Sequence, residues 1–318
     1  MNNKIIKRIF YSIAGRFRYI FLFNIFKKLR VSKLKVVREF STILINLFDP
    51  NNIRKTSFSQ IKENIIIFKG YDGSLFKLNL SEHIEYRLYI NGYFDLTALN
   101  FIKKYLEINS TFFIDVGANI GSVSIPIANL GVETIAVEPV SQIYSKLLAN
   151  VNLNTGHVKS IHKALVGDDF EEKTITLFSP VGNAGATSHN PNWNPSKGPN
   201  NSEIVEVLTL DHLVRSLKFD KHNCSILIKI DVEGMEVDVL KGSNEVIRVF
   251  RPIFIMEWRI DRYESANKLL LLKTIRELCN YKIFALHGSK TDINVGDFDE
   301  YNSYENILLV PSEKLIKF

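Results

Sequence analysis

Residues 111–124 read TFFIDVGANIGSVS. Thr111, Phe112, Phe113 and Ile114 have the aromatic and β-branched content of a strand buried on both faces, as in a parallel sheet. Gly117 and Gly121, set around Asn119, end that strand. The stretch after Gly121, SVSIPIANL, regains small and apolar residues at helical spacing, which predicts a helix near 122–130. Strand, tight turn and helix in this order form the place where α/β sheets bind ligands. Glycines there allow close backbone approach, and the helix N-terminus offers free N–H groups. An ordinary βα turn reads the same way, so the rest of the chain has to decide.

Outward from this turn the pattern alternates. Strands are predicted at 133–138 and 158–166 with a helix at 141–152 between them. Further strands follow at 225–231 and 252–258, with helices after Gly234 and at 264–279, and two late strands, YKIFAL and NILLV. Alternation of this kind implies an α/β fold with a doubly wound parallel sheet. It is interrupted at about 168–210 by TITLF, a loop rich in Gly, Asn and Pro, and IVEVLTL, which together predict a β-rich insertion or lid. Upstream, residues 63–80 read as a hairpin around a Tyr-Asp-Gly turn, and a helix is expected at 95–107. The chain of 318 residues thus divides into an arm (1–60), a hairpin and helix (61–110) and a main domain (111–318).

The composition, 46% apolar and 11% aromatic, is that of a globular protein. The net charge of +6 suggests nucleic acid until it is located. Residues 1–40 hold eleven Lys or Arg and one acid, a net +10, so the remainder is net −4. On a helical wheel Ile6, Ile9, Phe10, Ile13, Phe17 and Phe21 share one face, and Lys4, Lys7, Arg8 and Arg18 the other. Such a basic amphipathic stretch, over about residues 4–30, suits an anionic membrane surface. It equally suits a helix that packs its apolar stripe on its own domain. Its uncharged run is too short to span a bilayer, and Arg16 and Arg18 break any signal-peptide core. Cys224 and Cys279 make neither a disulfide framework nor a metal spacing, which points to a reducing, cytoplasmic setting, with peripheral contact at the inner membrane face through the arm. The glycosylation-like tripeptides at Asn79, Asn109 and Asn200 are what an Asn-rich chain produces by chance.

Ligands in an open parallel sheet bind at the carboxyl ends of its strands, and four predicted strands close on an acid: Asp115, Glu138, Asp231 and Glu257. Glu138 lies 21 residues after Gly117, where the second strand of a nucleotide fold presents an acid to ribose hydroxyls. That position fits NAD and S-adenosylmethionine alike. The first turn separates them, because Asp115 precedes the first glycine and Asn119 stands where a dinucleotide fingerprint needs its second. An acid there repels a pyrophosphate and suits the ammonium and sulfonium of S-adenosylmethionine.

With these residues in view, the chain resembles the FkbM-type family of class I S-adenosylmethionine-dependent methyltransferases. The resemblance rests on IDVGANIGSVS, VEP at 137–139, LTLDHL at 208–213, IKIDVEGMEVDVLKG at 228–242 and RPIFIMEW at 251–258, and it covers residues from about 90 to 311. It implies a Rossmann-like class I methyltransferase sheet, carrying here the β-rich insertion and an N-terminal helical and hairpin extension. It further implies that Asp115, Gly117, Asn119 and Gly121 form the methionine-side turn, that Glu138 holds the ribose, and that Ala164 and Leu165 border the adenine. Asp231 and Glu233 would face the methyl group and acceptor, with Glu257 ending the next strand.

Methyl transfer to oxygen is an in-line displacement, and a weakly nucleophilic hydroxyl needs a base or a metal to take or acidify its proton. Asp231, Glu233 and Glu257 are the catalytic candidates. Base or hydroxyl positioning and Mg²⁺ binding, the latter through Asp231 and Glu257, both remain open. Glu236 reads as a helix-terminal acid favoured by the macrodipole. His189 and His287 are minor candidates for reaching the acceptor. Asn190-Pro191-Asn192-Trp193 echoes the motif of DNA amino-group methyltransferases but precedes the fourth strand rather than following it. The expected activity is O-methylation of a sugar or glycan intermediate in polysaccharide biosynthesis, with a natural-product hydroxyl as the alternative acceptor. Rivals from other classes are a nucleic-acid methyltransferase or binder, which the −4 balance disfavours, and a non-catalytic interaction protein.

Overall fold

The computed structural model describes residues 65–106, 111–181, 183–191, 200–217, 219, 225–258, 273–274, 280–288, 293–299 and 304–317. The basic arm, both cysteines, Asn109, Asn192, Trp193 and nearly all of the helix expected at 264–279 lie outside the described residues.

The chain opens with an antiparallel hairpin, β1 (Ile65–Lys69) and β2 (Leu75–Asn79), followed by helices α1 (His83–Asn91) and α2 (Leu96–Leu106). Then come β3 (Thr111–Val116), α3 (Ser124–Ala128), β4 (Thr134–Val137), α4 (Ser141–Val151) and β5 (Val158–Ile161). Three strands form a separate small sheet: β6 (Ala164–Leu165), β7 (Thr174–Pro180) and β8 (Asn200–Leu208). After α5 (Leu210–Ser216) the main sheet resumes with β9 (Ser225–Ile230), α6 (Glu236–Lys241), α7 (Asn244–Phe250) and β10 (Ile253–Trp258). It finishes with β11 (Tyr281–Gly288), β12 (Ile293–Asp297) and β13 (Tyr304–Pro311).

The main sheet has the order β12-β11-β13-β10-β9-β3-β4-β5. Strands β10, β9, β3, β4 and β5 are parallel, and β13 inserts antiparallel between β10 and β11. The chain winds from β3 outward through β4 and β5, then returns to β9 and β10 on the other side of β3. That reversal opens a crevice at the carboxyl ends of β3 and β9.

Residue parity explains what the crevice receives. Phe113, Leu227, Ile253 and Ile255 pack on one sheet face, against Ala98, Leu99 and Ile102 of α2. Alternation puts Asp115, Lys229 and Glu257 in those same strand registers, and Asp231 follows two residues after Lys229. Ile114, Ile226, Ile228, Ile230, Phe254 and Met256 fill the opposite face. The acids thus rise from one side of the sheet at its carboxyl edge.

Four details differ from the sequence expectation. The strand expected at 158–166 breaks after Ile161, because the chain bends at His162 and Lys163 and Ala164–Leu165 joins β8 instead. The helix after Gly234 is two short helices parted at Gly242, whose added Cβ would lie 2.1 Å from the Val166 carbonyl oxygen. Helix α1 and strand β12 were not expected; HIEYRLYIN lacks a clear apolar stripe, and INVGD carries Asn, Gly and Asp.

The LTLDHL block has a structural explanation. The Asp211 carboxylate accepts from the Glu245 and Val246 N–H groups, both at 2.8 Å, and so closes the N-terminus of α7.

Candidate functional site

The turn after β3 is built by its glycines and one asparagine. Gly117 (φ +83°), Asn119 (φ 52°) and Gly121 (φ +85°) are all left-handed, a region Asn tolerates better than other side chains. Two consecutive N–H groups, of Gly117 and Ala118, donate to the Val137 carbonyl oxygen at 2.9 Å, folding the turn onto β4. A Cβ on Gly117 would lie 1.9 Å from the carbonyl oxygen of Asp231. Only glycine lets the ends of β3 and β9 meet there. Gly121 is packed instead, its Cβ position facing Ile125 and Leu147.

Glu138, just past β4, is 4% exposed. Its two carboxylate oxygens accept from the N–H groups of Asn119 and Val140, each at 2.9 Å. Burial raises its pKa to about 7 against the opposing pull of those two bonds. Asp115 is buried beneath the turn, where Ser124 Oγ donates to its Oδ2 at 2.5 Å and Oδ1 has no hydrogen-bond partner among the described residues. Its pKa is also raised, by burial first, with Lys229 and Ser124 pulling the other way.

Sequence reading missed Lys229. It lies within β9 at 3% exposure, in register with Asp115 of β3, and its Nζ donates to Asp231 Oδ2 at 2.8 Å. Burial disfavours its charge, yet Asp231, Asp115 and Asp95 together hold its pKa above the ordinary lysine value. A lysine between isoleucines looks solvent-facing in a sequence. The signal that could have found it is its parity with Asp231 in a strand buried on both faces.

A cleft runs along these strand ends. Gly117, Asn119, Glu138, Asp231 and Glu233 supply its polar wall, and Ile143, Ala164, Leu165, Leu177 and Met235 its apolar wall. The connection between β7 and β8 contributes Ala184, Gly185 and Thr187, the first two in a 3-10 turn (Ala184–Ala186), and Gly185 abuts Ile84 of α1. The insertion therefore roofs the cleft rather than hanging beside it. Asp231 and Glu233 of the polar wall also meet Glu257, near the end of β10: carboxylate oxygens of the three lie within 4.8 Å of one another. Such a set can accept a proton or hold a hard divalent cation. Glu233 is left-handed (φ 48°) and Gly234 follows at φ 102°, so the DVEG turn re-aims the acids away from the strand line.

The remaining candidates fall elsewhere. Glu236 is 1% exposed and accepts from the Gly234 N–H, inside the turn it starts. His287 pairs with Asn294 on β11, separated from β9 by β13 and β10. His189 lies beyond the roof, within electrostatic reach of Asp238 on α6.

The sequence model of the methyltransferase FkbM domain matches residues 115–283, more than half of the chain and all of the strand-end acids described above. The chain belongs to the FkbM methyltransferase family. Among solved structures, the FkbM methyltransferase of Methylobacillus flagellatus is 15% identical with a TM-score of 0.40. The match takes in 92% of the present chain and 59% of that one, so this FkbM chain spans less than two thirds of that relative's length. A magnesium protoporphyrin IX methyltransferase from Synechocystis, solved with bound SAM, is 9% identical at a TM-score of 0.36, covering 71% of this chain and 83% of its own. A SAM-dependent methyltransferase from Agrobacterium tumefaciens is 10% identical at a TM-score of 0.40, covering 80% and 72%. Comparison with curated proteins gives no match. No helix among the described residues of this FkbM family member is long and apolar enough to cross a membrane.

Proposed function

We propose that the protein is an S-adenosylmethionine-dependent O-methyltransferase whose acceptor is a hydroxyl on a sugar or glycan intermediate. The observation that carries the cofactor reading is Glu138, fixed by two backbone N–H groups and opening onto the same cleft as Gly117 and Asp231. Each of its oxygens keeps a lone pair for one hydroxyl of a vicinal diol. The wall of Ile143, Leu165 and Leu177 offers an apolar surface for a purine, and the acids Asp231 and Glu233 of the same cleft suit a ligand bearing positive charge. When bound, S-adenosylmethionine would supply the methyl group to be transferred.

The chain's own part is to place the acceptor hydroxyl and to receive its proton. The mutual approach of Asp231, Glu233 and Glu257 supports a role for one of these carboxylates in taking the hydroxyl proton as the new oxygen–carbon bond forms and the sulfur–carbon bond breaks. Carboxylates also accept hydrogen bonds from neighbouring sugar hydroxyls, which supports a polyhydroxylated acceptor over an apolar natural product. The acidic balance outside the arm supports a small acceptor over nucleic acid. A second reading of the same three acids is a Mg²⁺ site that acidifies the hydroxyl, favoured by their mutual spacing. For the arm, the basic amphipathic pattern of residues 4–30 supports docking at an anionic membrane surface where lipid-linked glycans are assembled.

Calorimetric titration of S-adenosylmethionine into wild type and Glu138→Ala, with NAD as control, tests the central claim. The expected result is binding by wild type, a loss of at least about tenfold in the variant, and none with NAD. No binding by folded wild type would remove the cofactor assignment. Repeating turnover with nucleotide sugars and glycan intermediates, with and without a chelator, then separates the base reading from the metal reading.

A further inference from the structure

We propose that Lys229 is a positioning residue for the cofactor cleft, its buried ammonium fixing the Asp231 carboxylate at the end of β9. This rests on the cofactor reading above. An ammonium in the middle of a core strand is costly unless it is paired, and a buried pair is by itself poor evidence for stability. An apolar residue at 229 would pack against Phe113, Leu227 and Ile255 without that cost, since those residues already line the same face. What the lysine does instead is make specific contact. It donates to Asp231 Oδ2 at 2.8 Å, stands in register with Asp115 on β3, and lies within electrostatic reach of Asp95.

Two of those three acids are tied to something else. Asp95 accepts from Ala98 N–H at 3.1 Å and Asn306 Nδ2 at 3.0 Å, and Asp115 accepts from Ser124. Asp231 alone among them lines the cleft, with a side chain 29% exposed. Lys229 therefore anchors the one acid of the three that is free to reach a ligand. Lys229 acts through Asp231 and does not itself line the cleft.

Calorimetric titration of S-adenosylmethionine into wild type, Lys229→Met, Lys229→Arg, Asp231→Asn and the Lys229→Met/Asp231→Asn double variant tests this, with thermal melts alongside. Positioning predicts that Lys229→Met and Asp231→Asn each weaken binding about tenfold, and that the double variant is no weaker than Asp231→Asn alone. Lys229→Arg, which keeps the charge, should recover part of the loss. A lowered melting temperature with wild-type affinity in Lys229→Met would overturn the inference and leave the cofactor reading intact. Absence of binding by wild type would remove both. If Lys229→Met does not fold, the double variant removes both halves of the pair and is compared with Asp231→Asn. Equal affinity supports the inference, and a further tenfold loss overturns it.

Discussion

Two carboxylates close adjacent regions of one crevice and have opposite surroundings. Glu138 has two backbone N–H groups and, among the described residues, no cation bonded to it, and burial carries its pKa to about 7. Asp231, across the turn, has the Lys229 ammonium at 2.8 Å. The difference shows how one residue type serves two tasks. The first acid is held by neutral dipoles and is suited to hydroxyl donors, whereas the second is held by an ammonium.

The contact that joins the two regions is the one to break first. Gly117→Ala sets a Cβ against the Asp231 carbonyl at a left-handed position, where no flexible side chain can give way. A loss of more than about 3 kcal/mol in denaturant unfolding is expected, together with loss of cofactor binding. Retention of wild-type stability would mean that the ends of β3 and β9 do not meet as described.

The Glu138 half of the comparison is sharpened by pH. An acid whose folded pKa is raised contributes stability that is fully present below its unfolded value of 4.5 and is lost as pH rises through about 7. The full difference is worth about 3 kcal/mol. Glu138→Gln should therefore gain on wild type across that window in parallel unfolding titrations, with the two curves differing by a constant above it. Cofactor affinity should run the other way, because a diol donates to the ionised form. In wild type it should rise by up to about tenfold per pH unit below 7 and level off above, whereas in Glu138→Gln it should be flat over the same range.

The smallest expected effect lies away from both acids. Asp211→Ala removes the two bonds that close α7 and should cost about 1–2 kcal/mol while leaving cofactor affinity unchanged. A change in affinity would show that α7 is coupled to the cleft.

Much of this site was legible in the chain because doubly wound sheets write their ligand edge into local sequence. Strands such as SILIKI and PIFIMEW are largely apolar runs, and the acid that follows or ends each run marks the carboxyl edge. The glycines of the first turn were legible for the same local reason. What could not be read depends on register and on distant partners. Lys229 becomes a buried ion-pair partner only once β9 lies beside β3, and Gly185 becomes part of a roof only once the insertion folds over α1. The break after Ile161 was hidden because Ala164 and Leu165 continue a β-like pattern while pairing with a different sheet.

Asn150 on α4 has a bearing on how this fold could be trimmed. Its side-chain oxygen accepts from the Lys77 N–H of the hairpin at 2.7 Å, and its amide donates to the Ile120 carbonyl inside the cofactor turn at 2.9 Å, with no part of the residue exposed. A shortened version beginning at β3 would keep every strand-end acid and still strip the partner from one end of this bridge. An engineer seeking the minimal working unit should therefore cut no later than residue 65, since the hairpin shares a rivet with the loop it never touches in sequence.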